Sequence, residues 1–279
     1  DEARFNLNDG NPRVVFVDRE FQPLIDGVRG DLPSAEAFFN LKDRQGAYED
    51  FSGLMDDAGA FEPEAVAMDD GFVIIHTAAV AGRPRGALLS HGNVVWANMH
   101  FDYLCGLGSD DVHLNLLPLF HVGGLFMATS SFHAGAMNVN MSKFDAAQAT
   151  ALIEEKKVSF MFDFAPILGS ILEEHRKTGK DIASLRNVVG IEAPETIQDY
   201  EKTVGGTFYV MYGQTETSCV ATFGRYDDCP GSAGRMLPVS EVALLNEHDQ
   251  VVGTGEIGEI ARRGPMVFKG YWNLPEDNE

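Results

Sequence analysis

Two short segments carry residues whose types and order could bind a phosphorylated ligand. The first lies directly after an apolar run that ends at Ile75 and reads His76-Thr77-Ala78-Ala79-Val80-Ala81-Gly82-Arg83-Pro84-Arg85-Gly86. Small side chains let backbone N–H groups approach an anion closely, and the guanidinium of Arg85 adds a charge-assisted contact. A tight turn that merely displays two arginines has the same composition, because small-residue loops are common punctuation. The second segment, Tyr212-Gly213-Gln214-Thr215-Glu216, comes after the apolar run Thr207 to Met211. Ligands of α/β sheets bind beyond the carboxyl ends of the strands, so an aromatic ring, a hydroxyl and a carboxylate at this point are placed for a nucleotide. A lone carboxylate in a turn is otherwise an ordinary solvated group.

Other chemically capable residues give weaker signals. His121 sits in the apolar stretch Leu114 to Ala128, where a single histidine is more often hydrogen-bonded structure than a catalyst. His91, within Ser90-His91-Gly92-Asn93, belongs to the start of a helix with Ser90 as its cap. No Gly-x-Ser-x-Gly elbow surrounds a serine, so the pair Ser90 and His91 is no hydrolase signal. Cys105, Cys219 and Cys229 are odd in number and lack the close pairing of a zinc site, which reads as reduced thiols in a cytoplasmic protein.

The elements that must position these residues alternate between apolar runs and helical patterns. Strands are expected at Arg13 to Asp18, Phe72 to Ile75, Val158 to Phe164, Asn187 to Val189 and Thr207 to Met211. Helices are expected from Ser90 to Leu104, from Ala146 to Lys156 with Asp145 as cap, from Pro166 to near Gly179, and from Glu195 to Val204. Repeated strand-helix-strand order implies right-handed crossovers, hence an α/β fold with a mainly parallel sheet flanked by helices. From Ser240 the pattern changes to short strands, Val242 to Leu245 and Glu256 to Ala261, read as a small antiparallel β element at the C-terminal end. The implied organisation is an end of a first α/β subdomain over 1–46, an acidic connector over 47–71, a main α/β subdomain over 72–239, and the start of a small β subdomain over 240–279.

Composition narrows the function class. The 279 residues hold 21 Lys and Arg against 42 Asp and Glu, a net charge of −21, which argues against nucleic acid as a main partner. A hydrophobic fraction of 44% suffices for a packed core. The apolar stretch Leu114 to Ala128 is broken by Asn115, Pro118, His121 and two glycines, so no transmembrane segment is expected. The first residues show neither the basic nor the apolar region of a secretory signal.

Taken in order, the motifs resemble those of the adenylate-forming superfamily, which contains acyl-CoA synthetases, luciferases and the adenylation domains of peptide synthetases. Its phosphate loop reads as an aromatic, then Thr-Ser-Gly-Thr-Thr-Gly, any residue, Pro-Lys-Gly. Thr77, Gly82, Pro84 and Gly86 match it, and Arg85 takes the lysine position. Leu117-Pro118-Leu119-Phe120-His121 resembles the Pro-x-Phe-His segment, and Tyr212 to Glu216 the Tyr-Gly-x-Thr-Glu motif. Gly231-Ser232-Ala233-Gly234-Arg235, Gly255 to Ile260 and Phe268-Lys269-Gly270-Tyr271-Trp272 resemble the later motifs of the same family.

The resemblance implies ATP-dependent conversion of a carboxylic acid, fatty or aromatic, to acyl-AMP and then acyl-CoA, with ATP, Mg²⁺ and CoA. It implies a nucleotide site of Thr77, Ala78, Ala79, Val80, Ala81 and Gly82, with Glu192, Ala193 and Pro194 along the adenine and Tyr212, Gly213 and Gln214 beside it. Thr215, Glu216 and Arg85 are the implied catalytic residues, Glu216 holding Mg²⁺, and His121 with Gly213 would border the acid. Other acceptors remain open: a carrier-protein phosphopantetheine could take the place of CoA, and a degenerate nucleotide-binding homologue could have lost catalysis.

Two departures bear on that choice. Ala78 to Ala81 stand where the family has hydroxyls and a glycine, and each lost hydrogen bond to a charged group is worth on the order of 1.5 to 3 kcal/mol. Family members are also longer, with a ribose-binding aspartate and a catalytic lysine beyond Glu279. The 279 residues alone are therefore expected to be inactive.

Overall fold

The computed structural model describes residues 2–41, 46–55, 59, 62–77 and 83–278. The chain forms two compact units, one of Asp1–Ala67, His76–Leu88 and Gly270–Glu279, the other of Met68–Ile75 and Leu89–Lys269.

In the first unit, α1 (Glu2–Gly10) leads to β1 (Val14–Val17), α2 (Gln22–Asp26), β2 (Ala37–Asn40), β3 (Glu49–Asp50) and α3 (Ser52–Met55). The three strands pair in parallel, Val14 opposite Ala37 and Phe39 opposite Glu49. Val15, Val17, Ile25, Val28, Leu32, Phe38 and Tyr48 form its core. Among the described residues, the acidic stretch after Ala47 contributes the short β3 and α3. Next come β4 (Gly71–His76) and β5 (Gly86–Ser90), which flank the small-residue loop. The sequence reading has no strand at Gly86–Ser90, because its partner comes from the far end of the chain.

The second unit carries the larger sheet. Along it run α4 (His91–Cys105), β6 (Val112–Asn115), α5 (Val122–His133), β7 (Met137–Asn140), α6 (Ala146–Lys156), β8 (Phe160–Phe164), α7 (Ile167–Thr178), β9 (Asn187–Ile191), α8 (Pro194–Val204) and β10 (Thr207–Tyr212). Then come β11 (Thr222–Arg225), β12 (Arg235–Met236), β13 (Glu241–Leu245) and β14 (Glu259–Arg263), while β15 (Gly270–Tyr271) returns to the first unit. Seven strands lie in the order β12-β11-β10-β9-β8-β6-β7, parallel from β10 to β7 with β11 and β12 antiparallel. The fold is thus α/β with a mainly parallel sheet, and β13 pairs antiparallel with β14 as the texture after Ser240 implies.

Local chemistry sets the helix ends. Ser90 Oγ accepts from the amide of Asn93 at 3.1 Å while Asn93 Oδ1 accepts from Ser90 N at 2.8 Å, a reciprocal cap that starts α4. Asp145 Oδ1 accepts from Gln148 N at 2.8 Å at the start of α6. The segment β6-α5-β7 escapes the sequence reading, since Pro118 and two glycines interrupt both periods within one apolar run. Both faces of the central strands are buried: Phe160, Phe162 and Val189 enter one core, Met161 and Val188 the other.

The sheet also demands a glycine at its functional end. A Cβ on Gly190 would lie 2.0 Å from the carbonyl oxygen of Asp163 across the β8–β9 pair. Gly190→Ala must push two central strands apart, and a loss of at least about 2 kcal/mol is expected in a denaturant titration.

Candidate functional site

The phosphate-loop candidates belong to the first unit. Thr77 N donates to Arg85 O at 2.9 Å, which closes the base of the loop. Ala78, Ala79, Val80, Ala81 and Gly82, all expected at a nucleotide, lie outside the described residues. Arg83 stands 5.6 Å from the ring of Phe5. Arg85 is anchored by the far end of the chain: its Nε lies 3.1 Å from Asp277 Oδ2, and its guanidinium sits 5.2 Å from the Tyr271 ring centre. The backbone makes the same connection, with Tyr271 opposite Ala87 in the β15–β5 pair and Trp272 N donating to Gly86 O at 2.7 Å. The Gly270-Tyr271-Trp272 motif therefore positions the arginine, a link that its distance in sequence conceals.

The Arg85–Asp277 pair is half exposed, so it contributes at most about 1 kcal/mol to stability. Asp277→Asn is expected to leave thermal stability nearly unchanged and to tighten pyrophosphate binding several-fold by releasing the guanidinium. Calorimetric titration checks this, and unchanged affinity would take Arg85 out of the anion-binding residues.

The second unit holds the remaining candidates at the carboxyl ends of its strands. Tyr212 ends β10 with its ring partly exposed. A Cβ on Gly213 would meet the carbonyl oxygen of Cys219 at 1.9 Å, so the turn beyond it closes only over glycine. Thr217 Oγ1 receives the amide of Gln214 and donates to Gln214 O, both at 3.1 Å, around the short 3₁₀ turn Thr215–Thr217. Glu216 O accepts from Phe268 N at 2.9 Å, and Ser218 Oγ donates to Met266 O at 2.6 Å. Ala221 N returns to Tyr212 O at 2.7 Å as β11 begins. Thr215 and Glu216 are half-buried on this braced turn.

At the end of β9, Glu192 Oε1 accepts from Ala193 N at 2.7 Å, while its Oε2 is buried without a partner among the described residues. Ala193 and Pro194 are exposed and begin α8. Asp163, on β8 beside Gly190, is fully buried; its Oδ1 accepts from Leu168 N at 3.0 Å and starts α7. Burial first, then the charge of Glu192, pushes its pKa up to about 7. His121 caps α5, its Nδ1 accepting from Gly123 N at 3.1 Å, with Phe164 edge-on at 5.9 Å. Burial lowers its pKa, in keeping with a neutral ring that accepts.

Within this unit the structure thus gathers Tyr212 to Glu216, Glu192 to Pro194 and His121 onto strand and helix ends of one sheet. Asp163 and Arg262 were missed by the sequence reading. A lone acid inside Phe160-Met161-Phe162-Asp163-Phe164 was the available signal for the first. Arg262 and Arg263 are adjacent on a strand and face opposite ways, so only their contacts reveal which one turns inward.

Comparison with known proteins shows the family. The profile of the family described as AMP-binding enzyme matches residues 1–272. An indoleacetate–CoA ligase of Aromatoleum aromaticum is 32% identical over 98% of this chain and 55% of its own length. A long-chain-fatty-acid–CoA ligase of Bacillus subtilis is 32% identical over 74% of this chain and 38% of its own. A crystal structure from Rhodopseudomonas palustris, solved as a candidate long-chain-fatty-acid CoA ligase, superposes with a TM-score of 0.93 at 43% identity, covering 99% of this chain and 69% of that one. The chain spans about half the length, or less, of these two curated relatives.

Proposed function

The chain belongs to the AMP-binding enzyme family, and we propose that the protein carrying it activates a fatty or aromatic carboxylic acid with ATP and transfers it to CoA. The observation that carries this reading is the Tyr212–Thr217 turn, braced at the carboxyl edge of a parallel sheet where such folds bind ligands. A carboxylate oxygen of the acid attacks the α-phosphorus of ATP and pyrophosphate leaves; the CoA thiolate then adds to the acyl carbonyl and expels AMP.

Each residue has a part in positioning or charge neutralisation, which dominate phosphoryl chemistry. Tyr212 stacks on adenine, with Gly213 and Gln214 beside it and Glu192, Ala193 and Pro194 along its edge. The orphaned Oε2 of Glu192 offers an acceptor to a donor group there. Thr215 donates to phosphate, and Thr77 to Gly82 with Arg85 keep the nucleotide-binding role that the family resemblance implies. His121 and Gly213 border the acid.

Mg²⁺ is usually held by one or two carboxylates together with substrate phosphates, and one carboxylate stands on the braced turn. Glu216 is the carboxylate that would hold it. When bound, the ion neutralises charge on the phosphate oxygens.

The relatives' names include both an aromatic and a fatty acid, and the apolar residues around Leu116 to Met127 suit either. No helix among the described residues is long and apolar enough to cross a membrane. We place the protein in the cytoplasm, on its three unpaired cysteines.

The test incubates the complete natural polypeptide with ATP, Mg²⁺, CoA and a panel of acids from acetate to long-chain and aromatic ones. Acyl-CoA, AMP and pyrophosphate in equal amounts with fatty or aromatic acids are expected. Release of ADP, or no product with any acid, would overturn the proposal.

A further inference from the structure

The Tyr212–Glu216 segment leads into two residues whose backbone conformation side chains disfavour. Ser218 and Cys219 are successive non-glycine residues with φ of 54° and 79°, in the left-handed region that side chains avoid. This pair turns the Cys219 carbonyl onto Gly213, leaving room for no side chain there. The position of Thr215 and Glu216 is therefore coupled to Ser218 and Cys219 holding that shape.

Besides the Ser218 Oγ bond to Met266 O, the residues on either side of the pair are held from a distant strand. Arg262, on β14, donates through Nη1 to the carbonyl of Thr217 at 3.1 Å and to that of Val220 at 2.5 Å, one on each side of the left-handed residues. Its Nη2 reaches Ser240 Oγ at 3.4 Å. Among the described residues no carboxylate pairs with it, and its Nε is buried without a partner. Burial is the one cause that lowers its pKa, to about 10, so the guanidinium remains charged at neutral pH. A half-buried guanidinium without a carboxylate partner is costly to keep, and here its bonds go to backbone carbonyls of the turn that follows Tyr212.

We propose that Arg262 is a positioning residue for nucleotide activation, an internal guanidinium clamp that holds Thr217 and Val220 and so fixes Thr215 and Glu216 toward the ligand. The clamp rests on the proposed action of Thr215 and Glu216 on the nucleotide. The planar fork matters as well as the charge, since lysine offers a point charge on a flexible stem and does not reproduce a two-carbonyl grip.

The test uses Arg262→Met and Arg262→Lys in the complete polypeptide, with acid-dependent pyrophosphate exchange and hydrogen exchange at Ser218 to Val220. Arg262→Met is expected to lower kcat at least tenfold and to raise KM for ATP several-fold, with KM for the acid within twofold. Arg262→Lys is expected to recover KM for ATP while kcat stays low. In both variants the amides of Ser218 to Val220 exchange faster and those of the central strands do not. Kinetics within twofold of the parent in both variants, or equal loss of every parameter in step with thermal stability, would overturn the clamp. Should Arg262→Met fail to fold, Arg262→Lys decides by the same readings. Absence of exchange activity in the parent protein would instead remove the functional reading, and the amide exchange at Ser218 to Val220 would still show whether Arg262 holds the turn.

Discussion

Glu216→Gln is expected to reduce acid-dependent pyrophosphate exchange about 10²- to 10³-fold, a loss comparable to removing one group that stabilises transition-state charge. The side chain keeps its length and loses its charge. Its backbone carbonyl, which accepts from Phe268 N, is untouched, as are the Gln214–Thr217 bonds that shape the turn. Folding should therefore survive, with a melting temperature within a few degrees of the parent. The Mg²⁺ concentration that gives half-maximal rate should rise as well. A variant with full activity at the same Mg²⁺ requirement would take Glu216 out of the site.

Asp163→Asn is expected to make the protein more stable at pH 8 and to change little near pH 4. The buried carboxyl holds its proton up to about pH 7 in the folded chain, against an ordinary value near 4 when unfolded. A raised carboxyl pKa means that the folded state binds more protons across that interval, so stability is complete below about pH 4 and lost as pH rises to 7. Three pH units correspond to on the order of 4 kcal/mol. Asparagine keeps an oxygen for the Leu168 amide and never ionises. His113 acts in the opposite sense: buried beside Asn138, its pKa falls to about 4, so its contribution is complete above about 6.5 and lost on acidification. Denaturant midpoints of parent and variant at several pH values check the prediction. A gap of the same size at pH 4 and pH 8 would contradict it.

The two variants probe different layers of one edge of the sheet, and those layers differed in how far they could be read from the chain. Elements with local causes were legible: Asp145 before an apolar period announces α6, and Thr207 to Met211 announces β10. Elements made by remote partners were not. Gly86–Ser90 becomes a strand because Gly270 and Tyr271 return to pair with it. Two glycines and a proline hide the join between β6 and α5.

The site divides in the same way. Tyr212 to Glu216, Glu192 to Pro194 and His121 could be named because their residue types are the chemistry. What holds them was silent, since Arg262 grips carbonyls that any residue carries and Asp163 looks like a stray acid in an apolar strand. The salt bridge from Asp277 to Arg85 also escaped, because it joins residues almost two hundred positions apart.

Pyrophosphate exchange into ATP requires only formation of the acyl adenylate, the step proposed for these residues. With the complete polypeptide, Mg²⁺ and labelled pyrophosphate, label is expected in ATP only when a fatty or aromatic acid is present, and Glu216→Gln is expected to cut that label about 10²- to 10³-fold. Folded protein that exchanges no label with any acid, or exchanges it without acid, would overturn the proposed activation.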